Sequence, residues 1–266
     1  MPDLAYSIDS QGVATLTLDR PDRHNAFDEA MIGSIFETLA RAEANPLLRA
    51  LVIRGAGRSF CAGGDIAWMR RMADAPHAQN LADARALAQM MLHLDRFPSP
   101  TVAVVQGAAF GGGVGLVACC DVAIASSRAA FCLSEARLGL VPAAIGPYVV
   151  RAIGARQARR LMLTAETISA DAALDMGLVH HIAAEDDMDA LLARIIASLL
   201  GCAPGAQREA KAFVAHCADA AIGDELALHS AELLAMLRAS PEAREGLAAF
   251  LERRAPRWTR PRELAR

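Results

Sequence analysis

Residues 101–120 constrain this chain more than any other stretch. Thr101-Val102-Ala103-Val104-Val105 is an apolar, β-branched run and reads as a buried strand. It meets Gln106-Gly107-Ala108-Ala109-Phe110-Gly111-Gly112-Gly113, and residues 114–120 then suit a helix. A strand, a glycine turn and a helix start together leave unpaired N–H groups at the positive end of a helix dipole. Gly112 and Gly113 lack a Cβ, so a flat group can approach those donors closely. On its own such a cluster more often serves tight packing. A second one stands upstream. Leu51-Val52-Ile53-Arg54-Gly55 reads as a strand, followed by Ser59-Phe60-Cys61-Ala62-Gly63-Gly64-Asp65-Ile66 and a helical stretch through Trp68, Met69 and Met72. Two such turns can aim two N–H donors at one oxygen, the arrangement that stabilises negative charge on an acyl or thioester oxygen.

The flanking chain supports an α/β fold. Val13-Ala14-Thr15-Leu16-Thr17-Leu18 alternates as a strand does, after a Gln11-Gly12 turn. The segment from Arg20 to Asn25 breaks it, and Asn25 is placed to cap a helix through Met31, Ile35 and Leu39. Residues 82–97 carry Leu87, Met91 and Leu94 at helical spacing, and Pro98 and Pro100 end that helix. Residues 122–125 and 129–133 read as short strands. Strands alternating with helices argue for α/β, without distinguishing a doubly wound sheet from other arrangements. Beyond Val179 the pattern changes. Residues 188–200, 204–216, 225–237 and 241–253 are four amphipathic stretches with no strand between them. They predict a core over residues 1–199 and a helical region over 200–266, whose apolar faces need the core or a neighbouring subunit to cover them.

Composition excludes more than it proposes. A formal net charge of −3 gives no reason to expect nucleic acid as a partner. The six cysteines form no CxxC pair and the histidines no ligand spacing, so reduced thiols and the absence of a metal site are expected. The residues from Met1 to Tyr6 lack a basic and an apolar leader region, and no charge-free apolar stretch reads as a membrane span. The expectation is a cytoplasmic protein.

Several motifs are shared with one family. Phe60-Cys-Ala-Gly-Gly-Asp-Ile66, Gly107-Ala-Ala-Phe-Gly-Gly-Gly113 and Phe131-Cys-Leu-Ser-Glu-Ala-Arg-Leu-Gly139 resemble the enoyl-CoA hydratase/isomerase (crotonase) family. So do Arg20-Pro21 with Asn25-Ala26-Phe27 near the start and Glu245-Gly-Leu-Ala-Ala-Phe-Leu-Glu252 near the end. The resemblance spans essentially the whole chain, in the family's order and spacing. It implies a core of repeated ββα units coiled as a spiral, with C-terminal helices that assemble trimers, often paired into hexamers. It implies oxyanion-hole donors at the backbone N–H groups of Gly64 and Gly112. It also implies a CoA thioester held along Arg23, His24, Ala26, Ala62, Gly63, Asp65 and Ile66, with Phe250 approaching from the C-terminal helix. No cofactor is implied beyond the CoA that the substrate carries.

The same resemblance exposes a departure. Hydratases of this family typically carry two glutamates, and the second stands here as Glu135. The first is replaced by Gly115. The wording around both positions is similar to a subgroup, the bacterial methylglutaconyl-CoA and isohexenylglutaconyl-CoA hydratases, which act on branched, carboxylated enoyl thioesters. On that reading Gly115 leaves room for a branch at Cβ, and Arg137, Arg70 or Arg71 is available for a substrate carboxylate. The leading expectation is a hydratase working with one glutamate. The alternatives are a Δ3,Δ2-enoyl-CoA isomerase, which needs one carboxyl only, and a CoA-ester-binding trimer with little activity. Thioesterase or decarboxylase chemistry stays open on the same fold.

Overall fold

A computed structural model describes residues 3–259; Met1, Pro2 and the end of the basic tail, 260–266, lie outside them. Two sheets organise the chain. The larger has the order β1-β2-β3-β5-β7-β10, from β1 (Leu4–Ile8), β2 (Val13–Leu18), β3 (Ala50–Gly55), β5 (Thr101–Val105), β7 (Val122–Ser126) and β10 (His181–Ala183). All its pairings are parallel except β1 with β2. The smaller has the order β4-β6-β8-β9, from β4 (Ser59–Cys61), β6 (Ala108–Phe110), β8 (Ala130–Cys132) and β9 (Thr167–Ser169). Its first three strands are parallel and β9 is antiparallel.

The connections repeat. Strand β3 passes into β4 and then into α2 (Ile66–Ala73) and α3 (His77–Asp95). Strand β5 passes into β6 and α4 (Gly112–Cys119), and β7 into β8 and α5 (Gly146–Thr164). Each turn thus lays one strand in each sheet and returns through a helix, the ββα spiral that the resemblance implied. Of the short strands in the smaller sheet, β8 lies within the strand expected over 129–133, whereas β4 and β6 were read as parts of glycine turns and β9 was missed. Three residues are too few to show an alternation.

Burial follows the period of two along the large sheet. Leu16, Leu18, Leu51, Ile53, Ala103, Val105, Ala123 and Ala125 face the main core with α1 (Glu29–Glu43) and α3. Val13, Val52, Val102, Val104 and Ile124 face the other way, against Met188 and Leu191 of α7 (Met188–Gly201). All five residues of β5 are buried, which is why it reads as a continuous apolar run. Helix α7 spans the division expected at 199/200. Its C-terminal end is tied down by Arg49, buried, which donates to the carbonyls of Leu200 (3.2 Å), Cys202 (3.0 Å) and Trp258 (2.7 Å). A cation there also offsets the negative end of the helix dipole.

The other helices expected near the C-terminus are α8 (Pro204–Asp219), α9 (Asp224–Arg238) and α10 (Pro241–Leu251). No described residue of α8 or α9 is buried, and Leu247, Phe250 and Leu251 of α10 are exposed. Among the described residues no single helix is long and apolar enough to cross a membrane. One local expectation is corrected. Asn25 does not cap α1; Asp28 does, accepting from Met31 N–H at 2.9 Å. Asn25 is buried three residues earlier. Its amide donates to the carbonyls of Ala56, Ser59 and Phe60, because the chain still has to cross from β2 to the helix.

Candidate active site

The geometry of the small sheet brings three sequence motifs together. Strands β4, β6 and β8 are parallel neighbours, so their C-terminal ends lie side by side, roughly 4.8 Å apart. Each runs directly into one motif: β4 into 62–65, β6 into Gly111-Gly112, and β8 into Leu133-Ser134-Glu135. Two donors on adjacent strand ends can both lie within about 3 Å of one shared oxygen.

Gly64 sits in a single-residue parallel bridge with Phe27. The Phe27 N–H donates to the Gly63 carbonyl at 2.7 Å, and the Asp65 N–H donates to the Phe27 carbonyl at 2.6 Å. The N–H of Gly64 itself therefore points away from Phe27, because successive N–H groups of an extended chain face opposite ways. Gly112 is the first residue of α4, behind Gly111 at φ 48° and ψ −119°. Its N–H is one of the four orphan donors at a helix start. Gly111 is itself tied to the third strand, donating to the Cys132 carbonyl at 2.8 Å.

Glu135 opens a 3₁₀ turn, Glu135–Leu138, directly after β8. Its Oε1 would be 3.0 Å from a Cβ on Gly111, so the missing side chain there is what admits the carboxyl group. Its Oε2 is buried with no hydrogen-bond partner among the described residues. Burial raises the Glu135 pKa above the ordinary glutamate value, and a bond from its own main-chain N–H opposes that only partly. A carboxyl group in such a place can take up and return a proton.

Around the first turn the remaining expected residues form a connected network. Asp65 caps α2, its Oδ1 accepting from Ala67 N–H (2.8 Å) and Trp68 N–H (3.1 Å). Its Oδ2 takes Arg23 Nη1 at 2.9 Å. Burial works against the Asp65 charge, yet the Trp68 amide, the Arg23 guanidinium and the Ala67 amide together hold its pKa below the usual range. His24 accepts from Arg58 at Nε2 (3.1 Å), so its Nδ1–H donates to Ser59 Oγ (3.0 Å). The Ala62 N–H donates to the His24 carbonyl at 2.9 Å. Ala26 is buried, with its carbonyl accepting from Arg20 at 3.1 Å. Ile66 stands 81 % exposed as the first residue of α2, an apolar side chain at the rim. Phe250 is on α10, 80 % exposed. Arg23, His24, Ala26, Ala62, Gly63, Asp65 and Ile66 thus form one connected segment and its rim, and Phe250 belongs to the separate C-terminal face.

Of two expectations about the acyl end, one is corrected and the other narrowed. A Cβ on Gly115 would lie 2.2 Å from Ile145 Cγ2, 2.8 Å from Ile145 Cβ and 3.2 Å from the Met91 methyl. The space that even the first atom of a side chain would need is filled with hydrocarbon, so the absence of a side chain at Gly115 opens no room there. Two of the three arginines are already engaged. Arg137 donates to the Ala165 carbonyl at 2.6 Å, and Arg71 holds Glu29 through two bonds at 2.7 and 2.8 Å. Arg70 is exposed. Ile145 was given no role from sequence, and no local signal marks it, since its contact with Gly115 is thirty residues away in the chain. Phe27 was quoted as part of a motif without a role; its position directly after Asn25-Ala26 was the available signal.

Comparison with known proteins agrees with this fold. The family model described as enoyl-CoA hydratase/isomerase matches residues 9–261. A solved enoyl-CoA hydratase from Shewanella pealeana superposes with a TM-score of 0.93 at 46 % identity, covering 96 % of each chain. The 2,3-dehydroadipyl-CoA hydratase of Escherichia coli is 32 % identical over 92 % of this chain and 94 % of its own. The trans-2-decenoyl-(acyl-carrier-protein) isomerase of Streptococcus mutans is 30 % identical over 97 % of this chain and 98 % of its own. Hydratases and isomerases both stand among the relatives. With its spiral of ββα units and three motifs meeting at the strand ends, the chain belongs to the enoyl-CoA hydratase/isomerase family.

Proposed function

We propose that this enzyme hydrates a 2-enoyl-CoA using Glu135 as its single acid–base group. The observation that carries the reading is the Glu135 carboxyl, with one oxygen buried and unpartnered, beside the Gly111-Gly112 turn. The thioester oxygen accepts from the N–H groups of Gly64 and Gly112. Glu135 takes a proton from water as the water oxygen bonds to Cβ. The electron pair of the double bond moves toward the thioester and forms an enolate, held by the two amides. Glu135 then delivers a proton to Cα, the enolate collapses, and one water has added across the double bond. Loss of one oxyanion donor costs about 2.7–4 kcal/mol in such reactions.

The CoA portion follows the segment from Arg23 to Ile66. Arg23 is bonded to Asp65 and still 59 % exposed, which leaves part of its guanidinium for a phosphate. For the acyl group, a branched chain such as that of 3-methylglutaconyl-CoA rests on the sequence resemblance of 131–150, since Gly115 gives it no room and, of the three arginines, Arg70 alone has no partner among the described residues. The apolar surface left uncovered on α8–α10 supports a homotrimer or homohexamer. Light scattering at micromolar concentration is expected to give three or six chains, and a stable monomer would refute the assembly.

A second reading is favoured by one observation. Where a second carboxylate would hold the water, Ile145 and Met91 present hydrocarbon. A Δ3,Δ2-isomerase needs no water: Glu135 removes a proton from C2 of a 3-enoyl-CoA and returns one to C4. Incubation with 3-methylglutaconyl-CoA, crotonyl-CoA and a 3-enoyl-CoA, with hydration read by mass and the position of the double bond by the ultraviolet absorbance of the conjugated 2-enoyl thioester, separates the two. A gain of 18 mass units in the first two is the expected result. Shift of the double bond in the third, with no hydrated product from any substrate, would replace hydration with isomerisation.

A further inference from the structure

Phe27 touches both glycine turns, one with its main chain and the other with its ring. Its two backbone bonds, to the Gly63 carbonyl and from the Asp65 N–H, set the direction of the Gly64 N–H between them. Its ring lies against Gly112. A Cβ on that residue would come within 2.6 Å of Phe27 Cε2 and 2.9 Å of Cδ2. The segment that carries Phe27 is anchored on both sides. Asp28 caps α1, Arg20 Nη1 bonds both Asp28 Oδ2 (2.7 Å) and the Ala26 carbonyl, and Asn25 grips one carbonyl of the β3–β4 connection and two of β4. Phe27 is itself 1 % exposed. A rigid residue therefore links two turns that come from different strands.

We propose that Phe27 is the positioning residue of the oxyanion hole, fixing the spacing between the Gly64 and Gly112 N–H groups. This rests on the reading of those two amides as the donors to the thioester. Phe27 touches no reacting atom and acts through the two glycines. A ring that merely fills the core would, when truncated, lower stability and leave the donors in place. A positioning ring, when truncated, lets the start of α4 shift, and the effect falls on the enolate more than on the bound substrate, because charge concentrates on the oxygen only in the former.

The test reads the carbonyl itself. Butyryl-CoA has no double bond to hydrate, and a ¹³C label at its thioester carbonyl isolates one infrared stretch. Wild type is expected to lower that stretch relative to the free thioester, because two aimed donors polarise it. Phe27→Leu is expected to lose about half of the lowering. It should lose about tenfold in kcat on the enzyme's own substrate, with KM changed by less than about threefold. Gly112→Ala leaves Phe27 intact but presses a methyl group into its ring, and it should lose lowering in the same way; this variant carries the test if Phe27→Leu does not fold. The double variant, in which the methyl takes up room that the ring vacates, should recover part of the lowering. Wild-type stretch and kcat in both single variants would overturn the role of Phe27 while leaving the donors intact. No lowering in wild type would overturn the donors and the proposal together.

Discussion

Replacing Glu135 by Gln is expected to remove turnover, by about 10³-fold, while leaving the affinity for butyryl-CoA within a few fold. Both proton transfers run through this carboxyl group, and general acid–base groups contribute about 10²–10⁴-fold. Gln keeps the shape and the polarity of the side chain, so the turn after β8 and its bond from Leu140 N–H to the Glu135 carbonyl remain. Retention of more than about a tenth of wild-type turnover would mean that another group carries the proton. The pH dependence follows from the same burial. The carboxyl must be ionised to accept a proton from water, and burial raises its pKa above the ordinary glutamate value. The acid limb of kcat/KM should therefore lie above the range of a solvated glutamate. Stability moves with it. A group whose folded pKa is raised contributes most below its unfolded pKa, and that contribution is lost as pH rises through the folded pKa. Glu135→Gln should then melt higher than wild type at pH 8, with the gap closing below about pH 4. An enzyme that is destabilised by its own catalytic group is the usual trade between stability and activity.

The site was more legible in the sequence than the sheet that builds it. Glycines at 63–64 and 111–113 can be read because a turn and a close backbone approach leave few other choices, and those demands are local. Glu135 was readable because it follows a strand directly and matches a family motif. Strands β4 and β6 were not, although their alignment with β8, which did read as a strand over 129–133, is what brings the motifs together; three-residue strands acquire their meaning only from their neighbours in space. Asn25 shows the same limit from the other side. Its type suits a helix cap, yet Asp28, three residues on, is the one aligned with the first turn of α1, and Asn25 is spent on carbonyls of a different connection and of β4. Two of the arginines failed for a related reason. A sequence shows that Arg71 and Arg137 exist, and not that Glu29 and the Ala165 carbonyl have already engaged them.

Gly115 is where reading and structure part most clearly, and the packing against it sets a strong expectation. Gly115→Glu alone is expected to destabilise the fold by about 3 kcal/mol or more, since overpacking a filled core costs roughly 1–3 kcal/mol before a carboxylate is buried with it. The new Cβ would meet Ile145 Cγ2 at 2.2 Å. Ile145→Ala gives incomplete relief, because the Ile145 Cβ itself would remain 2.8 Å away; Ile145→Gly removes both atoms. Ile145→Gly alone leaves a cavity beside Met91 and is expected to cost several kcal/mol, roughly the range of large-to-small core changes. The two changes fill one another's defect. Urea unfolding of the double variant should show a favourable coupling of about 2 kcal/mol or more between the sites. The same variant places a second carboxylate near the water that adds to Cβ. Its kcat/KM for crotonyl-CoA, relative to Ile145→Gly, should rise by about tenfold, or 1.4 kcal/mol in barrier. Additive stabilities would show that Ile145 moves aside easily and does not hold the site to one carboxyl group. Strong coupling in stability without a gain in hydration would show that Gly115 and Ile145 are a packing pair, and that this enzyme handles its water from Glu135 alone.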